Sequence, residues 1–204
     1  SLHDALPIYA ALNKLLNPAG WTRQCVLADK QLFAERCAAA GLPHPKTIAI
    51  CTRGEIRLLS DPAGQYLVAK PSDGEGGSGV RMLGPIADGG ALLARGAELK
   101  RLARTVIIQP RVTVHPELAD LALAALPTVR IVTFCNEQGS PEVVSATFRC
   151  PTDPAAAIDN MKAGGLISSV DLDGGFLGVA CLGYGGGDYE CHPVTGSRIA
   201  GRTL

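Results

Sequence analysis

The stretch Tyr66–Val80, YLVAKPSDGEGGSGV, decides how the chain reads. Tyr66–Ala69 is a short apolar run, which predicts a buried strand. Lys70 stands at its end, and Pro71, with no N–H to give, is expected to break the pairing there. Four glycines follow within Gly74–Gly79, and Val80, Arg81, Met82 and Leu83 turn apolar again before Gly84 and Pro85. Backbone N–H groups of so glycine-rich a loop can approach an anion closely, because no Cβ stands in the way. Lys70 adds a full positive charge at the rim, and the simplest ligand for such a cradle is a polyphosphate.

Three phosphate-binding patterns compete for this stretch. Gly74, Gly76 and Gly79 satisfy G-x-G-x-x-G, but a dinucleotide fingerprint must open a helix, and a strand is expected here. No G-x-x-x-x-G-K-[ST] is present. A protein-kinase loop carries its lysine after the glycines and needs H-R-D and D-F-G, which are missing. What remains is strand, lysine, glycine loop, strand, with a solvated surface turn as the alternative. That order resembles the ATP-grasp superfamily.

The 204 residues, 47% of them hydrophobic, suffice for one large core or two small lobes. Nineteen basic residues balance nineteen acidic ones, so no nucleic-acid or membrane surface is indicated. No apolar run is long enough to span a bilayer, and the first residues carry no signal-peptide pattern. Seven scattered cysteines without a C-x-x-C argue against a disulfide framework or zinc ribbon and for a reducing, cytoplasmic setting. Ser1–Ile8, SLHDALPI, resembles translated sequencing-adapter DNA and is set aside as non-native.

Asp29 is placed to cap a helix over DKQLFAERCAAAG, in which Leu32, Phe33, Arg36 and Cys37 fall at helical spacing and Gly41 stops the run. Asp-Lys, a helix, then Gly41-Leu42-Pro43-His44-Pro45 and a strand over Lys46–Cys51 resembles the segment preceding the nucleotide site of ATP-grasp ligases. The resemblance implies that Lys30 joins Lys70 on the nucleotide phosphates. Asp88–Arg104 reads as a packing helix with Leu92, Leu93, Leu99 and Leu102, and Thr105–Ile108 as the next strand. Gln109, Pro110, Arg111 and Val112 then fall where ATP-grasp enzymes carry their adenine hinge. Such a hinge uses one backbone carbonyl and an N–H two residues on, so Pro110 and Val112 can serve. His115 is expected to open a helix over Pro116–Leu126 rather than to bind metal.

Thr128–Cys135 and Glu142–Arg149 alternate as strands of a hairpin. Antiparallel pairing would point Arg130 and Arg149 to one face. Two guanidiniums converging without nearby acids are costly unless an anion lies between them; solvated strand-end arginines are the alternative. The segment Asp159-Asn160-x-x-x-Gly164-Gly165 resembles a loop of glutamate-adding ATP-grasp ligases, which marks Asn160 beside Arg130 and Arg149 as catalytic candidates. Thr128–Thr133 (TVRIVT), Val170-Asp171-Leu172 with Leu177-Gly178, and His192–Gly196 (HPVTG) bring the match closer still, to the sugar-transfer associated ATP-grasp family related to α-L-glutamate ligases. The resemblance runs from about Ala28 to Leu204 in an ordered succession of segments.

It implies an α+β, ATP-grasp fold of two lobes with the nucleotide between them. The expected division is an N-terminal helical segment and linker over 1–50, a glycine-loop lobe over 51–112 and a second lobe over 113–204. It also implies an ATP-dependent carboxylate–amine ligase working through an acyl phosphate, with ATP and a small carboxylate as partners. Lys30, Lys70, Gly74, Gly76, Gly77, Ser78, Gly79 and Gln109–Val112 would hold the nucleotide. A non-catalytic nucleotide-binding or scaffold domain is the alternative, and a phosphotransferase a more distant one. Family members hold Mg²⁺ through an acidic residue and an E-x-N strand, expected here beyond residue 204, so the chain is expected to be C-terminally incomplete. Asp171 and Asp173 read as turn formers, and Cys191 and His192 lack partners at metal spacing.

Overall fold

The structure, a computed structural model, describes residues 29–73, 77–155, 158–161, 164–183 and 186–204. The chain divides into two compact units, Ser1–Val112 and Thr113–Leu204. The architecture is α+β, with one antiparallel sheet in each unit and few helices.

The first unit begins with α1 (Lys30–Ala39), capped by Asp29, whose Oδ1 accepts from the N–H groups of Gln31 at 2.8 Å and Leu32 at 3.1 Å. Its buried residues are Ala34 and Cys37, whereas Leu32 and Phe33 are exposed. The strands are β1 (Ala49–Thr52), β2 (Glu55–Leu58), β3 (Tyr66–Pro71), β4 (Arg81–Pro85) and β5 (Thr105–Pro110), ordered β2-β1-β5-β3-β4. The expected strand over Lys46–Cys51 therefore starts later and continues into a hairpin that composition did not suggest. Its turn places Arg53 at φ 55° and Gly54 at φ 97°, the handedness that two-residue hairpins need.

Pro71 does not end the strand before itself. It pairs with Val106 as the last residue of β3, and the ladder continues through the Ser72 N–H to the Thr105 carbonyl at 2.9 Å. A strand's last position tolerates proline because the next residue supplies the donor. The expected Asp88–Arg104 helix is two short helices, α2 (Gly89–Leu93) and α3 (Gly96–Leu99). Gly96 lies so close to the Gly54 carbonyl that a Cβ there would collide with it. Leu92 and Leu99 nevertheless face one core, with Ala49, Cys51, Leu67, Ala69, Leu83, Val106 and Ile108. The opposite face of the sheet carries Ile50, Val68 and Ile107, also buried, together with Lys70 and Gln109.

The second unit opens with a 3-10 helix, Pro116–Leu121, shorter than the expected helix to Leu126. His115 caps it by accepting from the Glu117 N–H at 3.4 Å. A meander follows: β6 (Thr128–Cys135), β7 (Pro141–Cys150), β8 (Leu166–Val170), β9 (Ala180–Leu182) and β10 (Gly186–Tyr189), ordered β10-β9-β8-β7-β6. Phe148, Cys150, Leu166, Leu177, Ala180 and Ile199 close over Leu121 as its core. Burial pushes the Cys150 thiol up to about 12, and the Asp159 carboxylate adds to it. His192 is fully enclosed: one ring nitrogen meets the Pro151 carbonyl at 2.7 Å, and the other accepts from the Val194 and Thr195 N–H groups. That packing explains the His-Pro-x-Thr-Gly segment structurally, as a locked turn. Asp171 likewise closes a turn by accepting from the Gly174 N–H at 2.6 Å.

Candidate phosphate site

The first unit's site is built at the end of β3. The strand leaves Lys70 half-buried, then passes Pro71 and Ser72 toward the glycine loop. The start of α1 is tied to this point twice. The Lys30 N–H donates to the Ser72 carbonyl at 2.8 Å, and the Ser72 hydroxyl donates to Asp29 Oδ2 at 2.6 Å. Burial raises the Asp29 carboxyl, but hydrogen bonds from Ser72, Leu32 and Gln31 outweigh it, and the net shift is downward. One aspartate thus caps the helix and fixes the helix to the strand. Lys30 is carried to the neighbourhood of Lys70 by these ties.

Lys70 shows the effect. Burial lowers its pKa below the ordinary lysine value, and the Lys30 charge lowers it further. Its Nζ donates to Gln109 Oε1 at 3.0 Å, a neutral acceptor. A desolvated ammonium facing a second cation and an uncharged amide is an arrangement an anion would relieve. The residues present therefore fit a polyphosphate. Gly77, Ser78 and Gly79 complete the described part of the loop as a turn, in which the Val80 N–H donates to the Gly77 carbonyl at 3.2 Å. Gly77 sits at φ 78° and Gly79 at φ 73°, where only glycine is unstrained. Gly74 and Gly76 lie outside the described residues.

Gln109 opens the stretch expected to hold the nucleotide. Its side chain is turned into the unit, 5% exposed, and donates to the Pro45 carbonyl at 3.0 Å while accepting from Lys70. Beyond it, Pro110 pairs with Leu67 at the end of β5, and the Arg111 N–H donates to the Tyr66 carbonyl at 2.7 Å. Val112 is exposed.

In the second unit the register pairs Arg130 with Thr147 and Thr128 with Arg149. Arg130 and Arg149 are therefore diagonal neighbours on one face, as the alternation requires. The expectation of two arginines without a nearby acid is corrected. Arg149 forms an ion pair with Asp159 at 2.9 Å, both side chains largely buried, and the Thr128 hydroxyl bridges the two. Arg130 lies exposed at the strand's start. Asn160 follows Asp159 in a tight loop where the Gly165 N–H donates to the Asn160 carbonyl at 3.0 Å, too close to Asp159 for any side chain at Gly165. The Asp-Asn pair was the available signal for Asp159, but its ionic partner is ten residues upstream and only folding reveals it.

Among the described residues no three His, Cys, Asp or Glu side chains come together to hold a metal ion. The described cysteines are free thiols, and none of the described helices is long and apolar enough to cross a membrane. No curated protein and no solved structure matches the chain. The family model for sugar-transfer associated ATP-grasp proteins matches residues 10–204. With that match spanning nearly the whole sequence, and with the strand–lysine–loop–strand unit in place, the chain belongs to the sugar-transfer associated ATP-grasp family.

Proposed function

We propose that the chain binds ATP through the first unit and serves an ATP-dependent carboxylate–amine ligase. The observation that carries this reading is the Lys70 environment: a half-buried ammonium, a neighbouring lysine and a glycine turn at one strand end. Lys30 and Lys70 take the phosphates, together with backbone N–H groups of Gly77, Ser78 and Gly79 and of the adjoining Gly74 and Gly76. Pro110, Arg111 and Val112 form the stretch beside which the adenine rests, through the Pro110 carbonyl and the Val112 N–H, and Gln109 leads into it from behind Lys70. ATP-grasp proteins generally bind ATP together with Mg²⁺; when bound, the ion supplies charge neutralisation on the phosphates.

In the reaction we infer, a substrate carboxylate oxygen attacks the γ-phosphorus, and the bond from that phosphorus to the bridging oxygen breaks, releasing ADP. The acyl phosphate is then attacked at its carbonyl carbon by an amine. The carbon–oxygen bond to phosphate breaks, inorganic phosphate leaves and the nitrogen loses a proton. Lys70 holds its proton throughout and lends positive charge to the phosphoryl oxygens. On the second unit we assign Arg130, with Arg149 and Asn160, to an anionic group of the reacting substrate. Arg149 is oriented for this by Asp159 and Thr128.

Calorimetric titration with a non-hydrolysable ATP analogue tests the nucleotide reading. Lys70→Ala should weaken binding by about tenfold or more, the value of a charge-assisted contact. Lys46→Ala, at an exposed lysine outside this cluster, should leave it unchanged. Equal affinities for the wild type and Lys70→Ala would remove the reading.

A further inference from the structure

Gln109 is the one buried amide in the first unit's sheet whose two ends serve different segments. It lies on the central strand β5, opposite Val68 and diagonal to Lys70 on the same face. Its oxygen accepts from Lys70 Nζ at 3.0 Å. Its nitrogen donates to the Pro45 carbonyl at 3.0 Å and reaches the Thr47 hydroxyl at 3.5 Å. The orientation of the amide is dictated by chemistry, because a carbonyl cannot receive a bond from an oxygen and an ammonium cannot receive one from an NH₂. A flip would set the amide oxygen against the Pro45 carbonyl and the NH₂ against the ammonium, losing both bonds.

We propose that Gln109 is a positioning residue that holds the Lys70 ammonium toward the phosphates without neutralising it. Its lack of charge is the functional feature. A carboxylate at this position would pair with Lys70 and cancel the positive charge a phosphate needs, whereas an apolar side chain would leave the ammonium without its acceptor. An amide does neither: it fixes direction and leaves the net charge intact. Anchoring on Pro45 removes the rotamer freedom that would otherwise blur the direction. Because Gln109 directly precedes Pro110–Val112, the same strand carries both the control of the lysine and the stretch assigned to adenine. This inference rests on the nucleotide reading above, but its own prediction concerns Lys70.

Gln109→Glu and Gln109→Leu test it, the first being close to isosteric and checked for folding by circular dichroism. The pH profile of Lys70 acetylation by limiting acetic anhydride, read by peptide mass spectrometry, reports how readily the amine loses its proton. Glu should move the midpoint up and Leu should move it down, because each alters the acceptor 3.0 Å from the ammonium; the readout a purely structural anchor would not give is a loss confined to phosphate-bearing ligands. Both variants should bind ADP and inorganic triphosphate about tenfold more weakly, with adenosine binding, followed by ligand-observed NMR, unchanged. An unmoved midpoint in both variants overturns the proposal. So does a loss for adenosine as large as that for ADP, which would place Gln109 on the base. If the wild type binds neither ADP nor triphosphate, the nucleotide reading falls and this proposal with it; a wild type that binds both beside variants that bind them equally well overturns this proposal alone.

Discussion

At the scale of single residues, Lys70 is the group whose chemistry matters most. Its pKa is lowered by burial and by Lys30, so the free protein holds fewer protons than its complex with a phosphate, which restores the ammonium. Binding therefore takes up protons in the window between the lowered value and the ordinary lysine range. Affinity should be full below that window and fall as pH rises through it. Calorimetry at about pH 7 and about pH 10 should show a clear decrease for the wild type, and a smaller one for Lys70→Ala. Constant affinity across that range would mean that no such lysine meets the ligand. Asp159 gives the second expectation. Removing it leaves the Arg149 guanidinium largely buried and unpaired, which costs about 3–5 kcal/mol, the low end applying because Arg149 keeps some contact with water. Urea unfolding of Asp159→Ala should show this loss, with Asp159→Asn milder because the amide can still meet Thr128. Lys70 was singled out in sequence because a cation before a glycine loop is a chemical pattern, whereas Lys30 came only through the resemblance carried by its Asp-Lys pair. Asp159 was not, because an ion pair across ten residues depends on where strand β7 ends.

At the scale of elements, the strand–lysine–loop–strand order was readable because its parts are contiguous. The glycine loop itself is a test of how much of that order is backbone geometry. A Cβ on Gly79 would stand 2.7 Å from Pro71 Cγ, and its φ of 73° is unfavourable for any other residue. Gly79→Ala should therefore destabilise the fold by about 1–2 kcal/mol as well as weaken nucleotide binding. Gly77 is at a similarly positive φ, so Gly77→Val should also distort the loop and weaken binding. An unchanged thermal midpoint for Gly79→Ala would show that the loop relaxes freely. The elements the sequence hid were those decided by neighbours. Strand β2 follows an Arg-Gly turn, which carries less of a signal than Asn-Gly or Asp-Gly. The 88–104 helix breaks at Ala94 and Arg95, and the Gly96 that opens its second part backs onto Gly54, a contact no local pattern records. Strands β9 and β10 are short, β10 opening on two glycines, and their pairing comes from the meander rather than from propensity.

At the scale of the molecule, each unit has its own core, centred on Leu92 and Leu99 in one and on Phe148 and Leu166 in the other. Leu99→Ala should cost about 2–5 kcal/mol and raise hydrogen exchange in β1, β3 and β5, while β7 and β8 keep their protection. Phe148→Ala should do the reverse; loss of protection in all ten strands from either change would show one cooperative body. Family membership rests on nearly the full length of the chain, whereas the role proposed for it rests on one cluster of side chains. The most direct measurement of that role is a ladder of ligands titrated into the full chain at a fixed Mg²⁺ concentration: adenosine, AMP, ADP and a non-hydrolysable ATP analogue. If Lys30, Lys70 and the glycine loop grip phosphates, affinity should climb with each added phosphate and be strongest for ADP or the ATP analogue. Equal affinity along the ladder, or no binding of any member, would contradict the account.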